Sequence, residues 1–144
     1  MSDRYHLAQA NIIYAVDSLK SETLADFHEM AVVVDALARK TAGFVWRLES
    51  LFDLPENPYV LNISVWEDLE SLRKFVYSGA HADSLKLRKK WFKPPKSAPS
   101  VLWWMPAGEL PDNDEGMARL ATLRARGPTP DAFTFRRSFP PPTT

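Results

Sequence analysis

YVLNISVWEDLESLRKFVYSGAHADSLKLRKKWF, residues 59–92, decides the fold, because an alternating strand runs there directly into a long amphipathic segment. Residues 59–66 have the period of two that a half-buried strand requires. Asn62, Ser64 and Trp66 share one face, and Leu61, Ile63 and Val65 share the other. From Glu67 or Asp68 onward the period becomes helical, with Leu69, Leu72, Val76, Ala80 and Leu87 inside one narrow arc. On an unbroken helix His81 points away from that arc, beside Tyr77, Leu85 and Arg88. Ser78-Gly79 is a weak point, since Gly costs a helix about 1 kcal/mol relative to Ala. A break there is expected, and it turns His81, Leu85, Arg88 and Phe92 inward as one row.

Upstream, residues 5–13 (YHLAQANII) alternate as a strand, with Leu7, Gln9, Asn11 and Ile13 on one face and Ala8, Ala10 and Ile12 on the other. The small residues of the second face invite close packing by a helix. Ser21 is the expected N-cap of a helix over 22–40, and Gly43 its C-terminal stop. FVWRLES, 44–50, is the second strand, with Phe44, Trp46 and Leu48 on one face. Pro55 and Pro58 make 51–58 a loop.

Downstream, VLWWM at 101–105 is the fourth strand, and Asp112 or Asn113 caps a helix that ends near Arg126 before Gly127-Pro128. Phe133, Phe135 and Phe139 alternate in an extended tail that straps a body or a partner subunit. The order β-α-β-β-α-β predicts an α+β, ferredoxin-like antiparallel sheet with helices on one face. Residues 1–111 form this unit, and 112–144 add a C-terminal helix and Pro-rich strap packed on the same domain. The sheet's second face is then open, carrying Gln9, Asn11, Asn62, Ser64, Trp66 and a Trp from the second and fourth strands. A homodimer through that open face would cover it and leave a cavity.

Composition narrows the function classes. Eighteen basic and eighteen acidic residues cancel across the 144, which gives no electrostatic footprint for nucleic acid or anionic lipid. No cysteine is present, so disulfides, thiol catalysis and thiolate metal sites are excluded. Neither a signal peptide nor an apolar run of the ~20 residues a membrane span needs is visible, and a cytoplasmic location is expected. Three scattered His residues do not make a metal site, no phosphate loop or nucleophile motif occurs, and no cofactor is expected.

The candidate residues each have a plain structural alternative. His81 suits a general acid or base near neutral pH; equally, it suits a helix-end hydrogen bond. Asn11 and Asn62 are disfavoured strand residues, explained either by amide hydrogen bonds to a ligand or by cross-strand amide pairing. Arg47 suits a carboxylate or phenolate ligand, or an ion pair with Glu49 or Glu67. Arg88 is similar, although in the basic run KLRKK it is most simply part of a solvated helix face. Among the five Trp, Trp66 and Trp103 are the ones expected to line a pocket with Ser64; large aromatics otherwise serve as core and interface mass.

Seven separated blocks carry a family resemblance: LAQANI (7–12), GFVWRL (43–48), LNISVWE (61–67), FVYSGAH (75–81), LRKKWF (87–92), VLWWMPAGELP (101–111) and GPTPDAFTFRRSFP (127–140). They resemble the bacterial domain of unknown function 3291 family. The resemblance covers nearly the whole chain and implies a dimeric α/β-barrel fold of the antibiotic-biosynthesis-monooxygenase-like superfamily. It also implies a ligand held between sheet and helices. Trp66 followed by His81 is similar to the layout of some enzymes in that superfamily. The expected function is a small-molecule pocket protein, a cofactor-independent monooxygenase or isomerase for a flat, apolar, oxygenated compound. Asn62 and His81 are its candidate catalytic residues; Asn11, Arg47, Ser64, Trp66 and Trp103 would bind the substrate. The alternatives are a non-catalytic ligand carrier and a purely structural homodimer.

Overall fold

The computed structural model describes residues 4–78 and 88–142. Four strands, β1 (Tyr5–Tyr14), β2 (Phe44–Phe52), β3 (Tyr59–Trp66) and β4 (Ser100–Pro106), form one antiparallel sheet in the order β2-β3-β1-β4. Helix α1 (Ala25–Lys40) joins β1 to β2, and α2 (Leu69–Val76) follows β3. Residues 88–91 make a further helical turn before β4, and α3 (Asn113–Arg126) follows it. This is the expected ferredoxin-like order, with the two central strands supplied by β1 and β3.

Local chemistry accounts for most boundaries. The Asp68 side chain accepts from the Ser71 backbone N–H at 2.8 Å and starts α2, and Asp112 does the same for α3 through Glu115. At Gly43, φ is +88°, and a Cβ would also overlap the Ser71 side chain. Ser21, by contrast, makes no side-chain cap. Its hydroxyl donates back to the Ser18 carbonyl, and a 3-10 turn, Glu22–Leu24, precedes α1.

The two sheet faces are assigned differently from the sequence expectation. Directly paired residues share a face, and the register pairs Gln9 with Ser64 and Asn11 with Asn62. This polar set looks toward α1 and α2, whose Val34, Ala38, Leu72 and Phe75 sit near it with Leu7 and Trp66. The face expected to be open is therefore the helix-covered one, and it cannot serve as the dimer contact.

On the opposite face α3 packs over Ala8, Ala10, Ile12, Leu61, Ile63, Val65 and Trp103. The close approach has a visible cause. A Cβ on Gly116 would stand 3.2 Å from the Ala10 Cβ and 3.1 Å from Ile63 Cδ1. The small residues of β1 do receive a helix, but it is the C-terminal one. Alternation separates a strand's two faces without saying which helix covers which.

A β-bulge between Phe44 and Trp46 corrects the reading of β2. Phe44 pairs with Trp66 on the α1/α2 side, whereas Trp46 pairs with Val65 on the α3 side. The tail crosses the body itself. Leu102 and Phe133 exchange two backbone hydrogen bonds of 2.8 Å, and the Trp104 indole N–H donates to the Phe139 carbonyl at 2.8 Å. No helix among the described residues is long and apolar enough to cross a membrane.

Candidate functional site

Between the sheet and helices α1 and α2 lies a cavity of about 270 Å³. Its floor is the polar strand face: Gln9 and Asn11 from β1, Arg47 and Glu49 from β2, and Asn62, Ser64 and Trp66 from β3. Its walls are aromatic and aliphatic, including Phe27, Met30 and Val34 of α1, Phe75 of α2, and Trp91 and Phe92. The helical turn 88–91 closes one end because it is tied to the end of β1. Val16 N–H donates to the Trp91 carbonyl and Lys93 N–H to the Tyr14 carbonyl, each at 2.8 Å.

The floor is a hydrogen-bonded lattice with its donors and acceptors largely committed. Arg47 is only 13% exposed, a burial that demands a counter-charge. It finds Asp35 on α1 at 2.9 Å, instead of the Glu49 or Glu67 expected from sequence. Its second terminal nitrogen donates to Asn62 Oδ1 at 2.9 Å. With that oxygen taken, Asn62 offers its NH₂ group to the cavity. Asp35 also binds Arg39, and these two guanidinium hydrogen bonds hold its carboxyl below the usual carboxylate range against the opposing effect of burial.

Ser64 is similarly engaged. Its hydroxyl accepts from Trp66 Nε1 at 2.9 Å and donates to Gln9 Oε1 at 3.2 Å, which leaves the Gln9 amide as a donor. Trp66 is fully buried, stacked on Phe75 at 5.1 Å and met edge-on by Phe44 at 5.4 Å. Its indole N–H is spent within the protein, so Trp66 acts as a rigid wall that orients Ser64.

Asn11 is the exception. Its Oδ1 is buried and has no partner among the described residues, although Asn62 lies directly opposite across the β1–β3 ladder. Cross-strand amide pairing, the structural explanation weighed above, is not made. An orphaned amide oxygen carries a desolvation cost of roughly 1–3 kcal/mol that a ligand donor would relieve.

The structure thus brings Asn11, Arg47, Asn62, Ser64 and Trp66 to one cavity. Trp103 is not among them. It pairs with Ala8 on the opposite face, fully buried beneath α3 with the Arg119 guanidinium 5.8 Å from its ring. In the pair Trp103-Trp104 successive residues must point to opposite faces, and sequence alone did not fix which one faced α1. His81 lies outside the described residues, and so does the predicted break at Ser78-Gly79 beyond Ser78 itself.

Three lining residues were missed as candidates. Glu49, opposite Asn62 in the β2–β3 ladder, faces the cavity as its one acidic side chain among the described residues. Gln9 was assigned to the right set of strand residues but given no role. Arg88, turned inward by the expected break yet given most simply to a solvated helix face, is half-buried and lines the cavity; burial draws its guanidinium below its ordinary value. The spacing Arg88–Phe92 was the available signal, since Phe92 is plainly a core residue one turn away.

Comparison with known proteins places this architecture. A profile described as domain of unknown function (DUF3291) matches residues 6–144, and the chain belongs to that family. No curated protein matches it. Among solved structures it is similar to SnoaB, a cofactor-independent oxygenase from Streptomyces nogalater, at 16% identity and a TM-score of 0.50. That likeness covers 74% of this chain and 98% of the other. It is also similar to a dimeric protein of unknown function and ferredoxin-like fold from Bacteroides fragilis, at 13% identity and a TM-score of 0.51, covering 70% and 94% of the two chains. A protein of unknown function from Nitrosomonas europaea matches at 13% identity and a TM-score of 0.50, covering 78% and 100%. These likenesses establish the ferredoxin-like fold.

Proposed function

We propose that this DUF3291 member binds a flat, apolar, oxygenated small molecule in the α1/α2 cavity and acts on it as a cofactor-independent monooxygenase. The observation that carries the reading is the buried Asn11 Oδ1, without a partner among the described residues, on a side chain that lines the same aromatic-walled cavity as Asn62, whose own oxygen is taken by Arg47. An acceptor and a donor side by side are complementary to a phenol or enol beside a carbonyl. At about 270 Å³ the space lies near the small end of ligand cavities, which suits a compact fused-ring compound.

The chemistry needs a base and an electron-rich substrate. Glu49 on the floor, with His81 as the sequence candidate, would take a proton from an acidic C–H or O–H. The resulting carbanion supplies electrons to dioxygen and forms a hydroperoxide. Loss of water converts CH₂ and O₂ into C=O and H₂O. Asn62 would stabilise the enolate oxygen, held in place by Arg47 and Asp35.

Oxygen uptake with polycyclic phenols, measured with the wild-type protein and with Asn62→Ala, Glu49→Gln and His81→Ala, tests this. Turnover is expected to fall at least about a hundredfold in a variant that has lost the base, while ligand affinity stays within a few fold. Equal loss of binding and turnover supports the carrier reading instead. Absence of any bound phenol sinks both.

A homodimer is the second part of the reading. With the polar face covered, the contact moves to β2, an edge strand whose Leu48 and Leu51 are exposed beside the exposed loop residue Leu54. Light scattering at micromolar concentration should report about twice the 16.4 kDa of one chain. A 16.4 kDa particle refutes it.

A further inference from the structure

A second cavity of about 230 Å³ opens where β1 ends and the Pro-rich connector 93–99 begins. Four cationic side chains line it, Arg88, Lys93, Lys96 and Arg124, and no carboxylate among the described residues does. In a chain whose charges cancel, this is a local excess of one sign converging on one cleft. Arg124 is held over it by a 3.0 Å hydrogen bond from Nε to the Ala98 carbonyl, which leaves its terminal nitrogens unspent.

Arg88 stands apart from the other three. Lys93, Lys96 and Arg124 are exposed and solvated, whereas Arg88 is half-buried and its guanidinium has no partner among the described residues. Ile13, Arg88 and Pro99 line both cavities, so this guanidinium stands at their junction. The other arginine of the aromatic cavity, Arg47, is already neutralised by Asp35. Desolvating a guanidinium without a counter-charge is unfavourable, and an anion arriving from either cavity would compensate it.

We propose that the basic cleft is an anion subsite: the ligand of the aromatic cavity carries a carboxylate or phosphate that reaches past Arg88 toward Lys93, Lys96 and Arg124. The proposal rests on the aromatic cavity being a ligand site. It narrows the substrate class from a neutral phenol to an aromatic acid or phosphomonoester. Arg88 would bind the anion through paired N–H donors, and the two lysines and Arg124 would supply a salt-sensitive field at the rim.

Three probes that share one ring system separate the claims: 2-naphthol, 2-naphthoate and 2-naphthyl phosphate, titrated against the full chain at pH 7 by tryptophan fluorescence. Both anions should bind at least about tenfold tighter than naphthol, equivalent to about 1.4 kcal/mol. Arg88→Gln should bring the three probes to near parity, the anions losing their advantage of about tenfold over naphthol. The double variant Lys93→Gln/Lys96→Gln, at exposed positions that leave folding intact, should weaken the anions by about threefold and flatten their salt dependence. Tighter binding of the phosphate than the carboxylate assigns a phosphomonoester, and the reverse assigns a carboxylic acid. Naphthol binding without preference for the anions overturns the anion subsite and leaves the aromatic pocket standing. If no naphthyl probe binds, the pocket reading fails, and the subsite fails with it unless inorganic phosphate raises the melting temperature of wild type and not of Arg88→Gln.

Discussion

The two faces of the sheet are built from alternate residues of the same strands, yet they are opposite kinds of surface. On the α3 side Ala10, Ile63 and Gly116 meet at van der Waals distance and leave an apolar, filled layer. On the α1/α2 side Asn11, Asn62 and Ser64 lie between bulky aromatics, and the helices leave a hollow. The difference follows from side-chain size and polarity. A helix that presents glycine to alanines can descend to contact, whereas large side chains on both partners keep a polar floor and its covering helices apart. One face of the sheet keeps it folded, and the other leaves room for a guest.

Neighbouring residues 62 and 63 allow the contrast to be tested directly. Ile63→Ala empties space in the filled layer and should cost about 2–5 kcal/mol, seen in urea unfolding as a lower midpoint at unchanged slope. Gly116→Val drives methyls into Ile63 and Ala10 and places a β-branched residue in a helix; about 1–3 kcal/mol is expected, read the same way. Asn62→Ala removes one acceptor from Arg47, which keeps Asp35, so stability should fall by about 1 kcal/mol while the phenol titration changes more. If Asn62→Ala costs as much as Ile63→Ala, the polar face is carrying the fold and the contrast is broken.

The smallest effect expected is electrostatic. Asp35 titrates below its ordinary value of 3.8 because Arg39 and then Arg47 bind its charged form. A carboxyl with a depressed folded pKa contributes stability that is fully present above the unfolded value. That contribution is lost as pH falls through the lower folded one. The gap between wild type and Asp35→Asn should therefore be steady from about pH 7 to 5 and narrow below about pH 4. It should stay under about 1 kcal/mol, since Asp35 is a third exposed and screened by solvent. A gap that widens on acidification rules out the Arg39–Asp35–Arg47 chain as the anchor of the floor.

The strands, the helix boundaries at Asp68, Asp112 and Gly127, and the β1 and β3 members of the polar floor were legible in the sequence. They depend on local periodicity and capping, which a single chain carries on its surface. What lay beyond it was orientation. Gln9, Asn11, Asn62 and Ser64 were grouped correctly but assigned to an open face, because alternation is symmetric under exchange of the two sides. The bulge at Phe44 and the choice between Trp103 and Trp104 have the same origin, since a one-residue shift reverses every facing. Arg88 was read both ways, inward in a row with Phe92 and outward with its basic run, for a different reason. Its neighbours Lys89 and Lys90 are solvated, and a charge run does not announce which member turns inward.

The strap has a consequence for how many molecules can join. Phe133 occupies both outward backbone groups of Leu102, the third of the seven residues of β4, and its ring is buried beside Trp104. An incoming strand could pair along β4 only by pulling this ring out of the core. Among the described residues the sheet is left with one unpaired margin, at β2. A ribbon with one usable end can be joined only once, so any edge-to-edge pairing there would end at two chains instead of running on into a fibre.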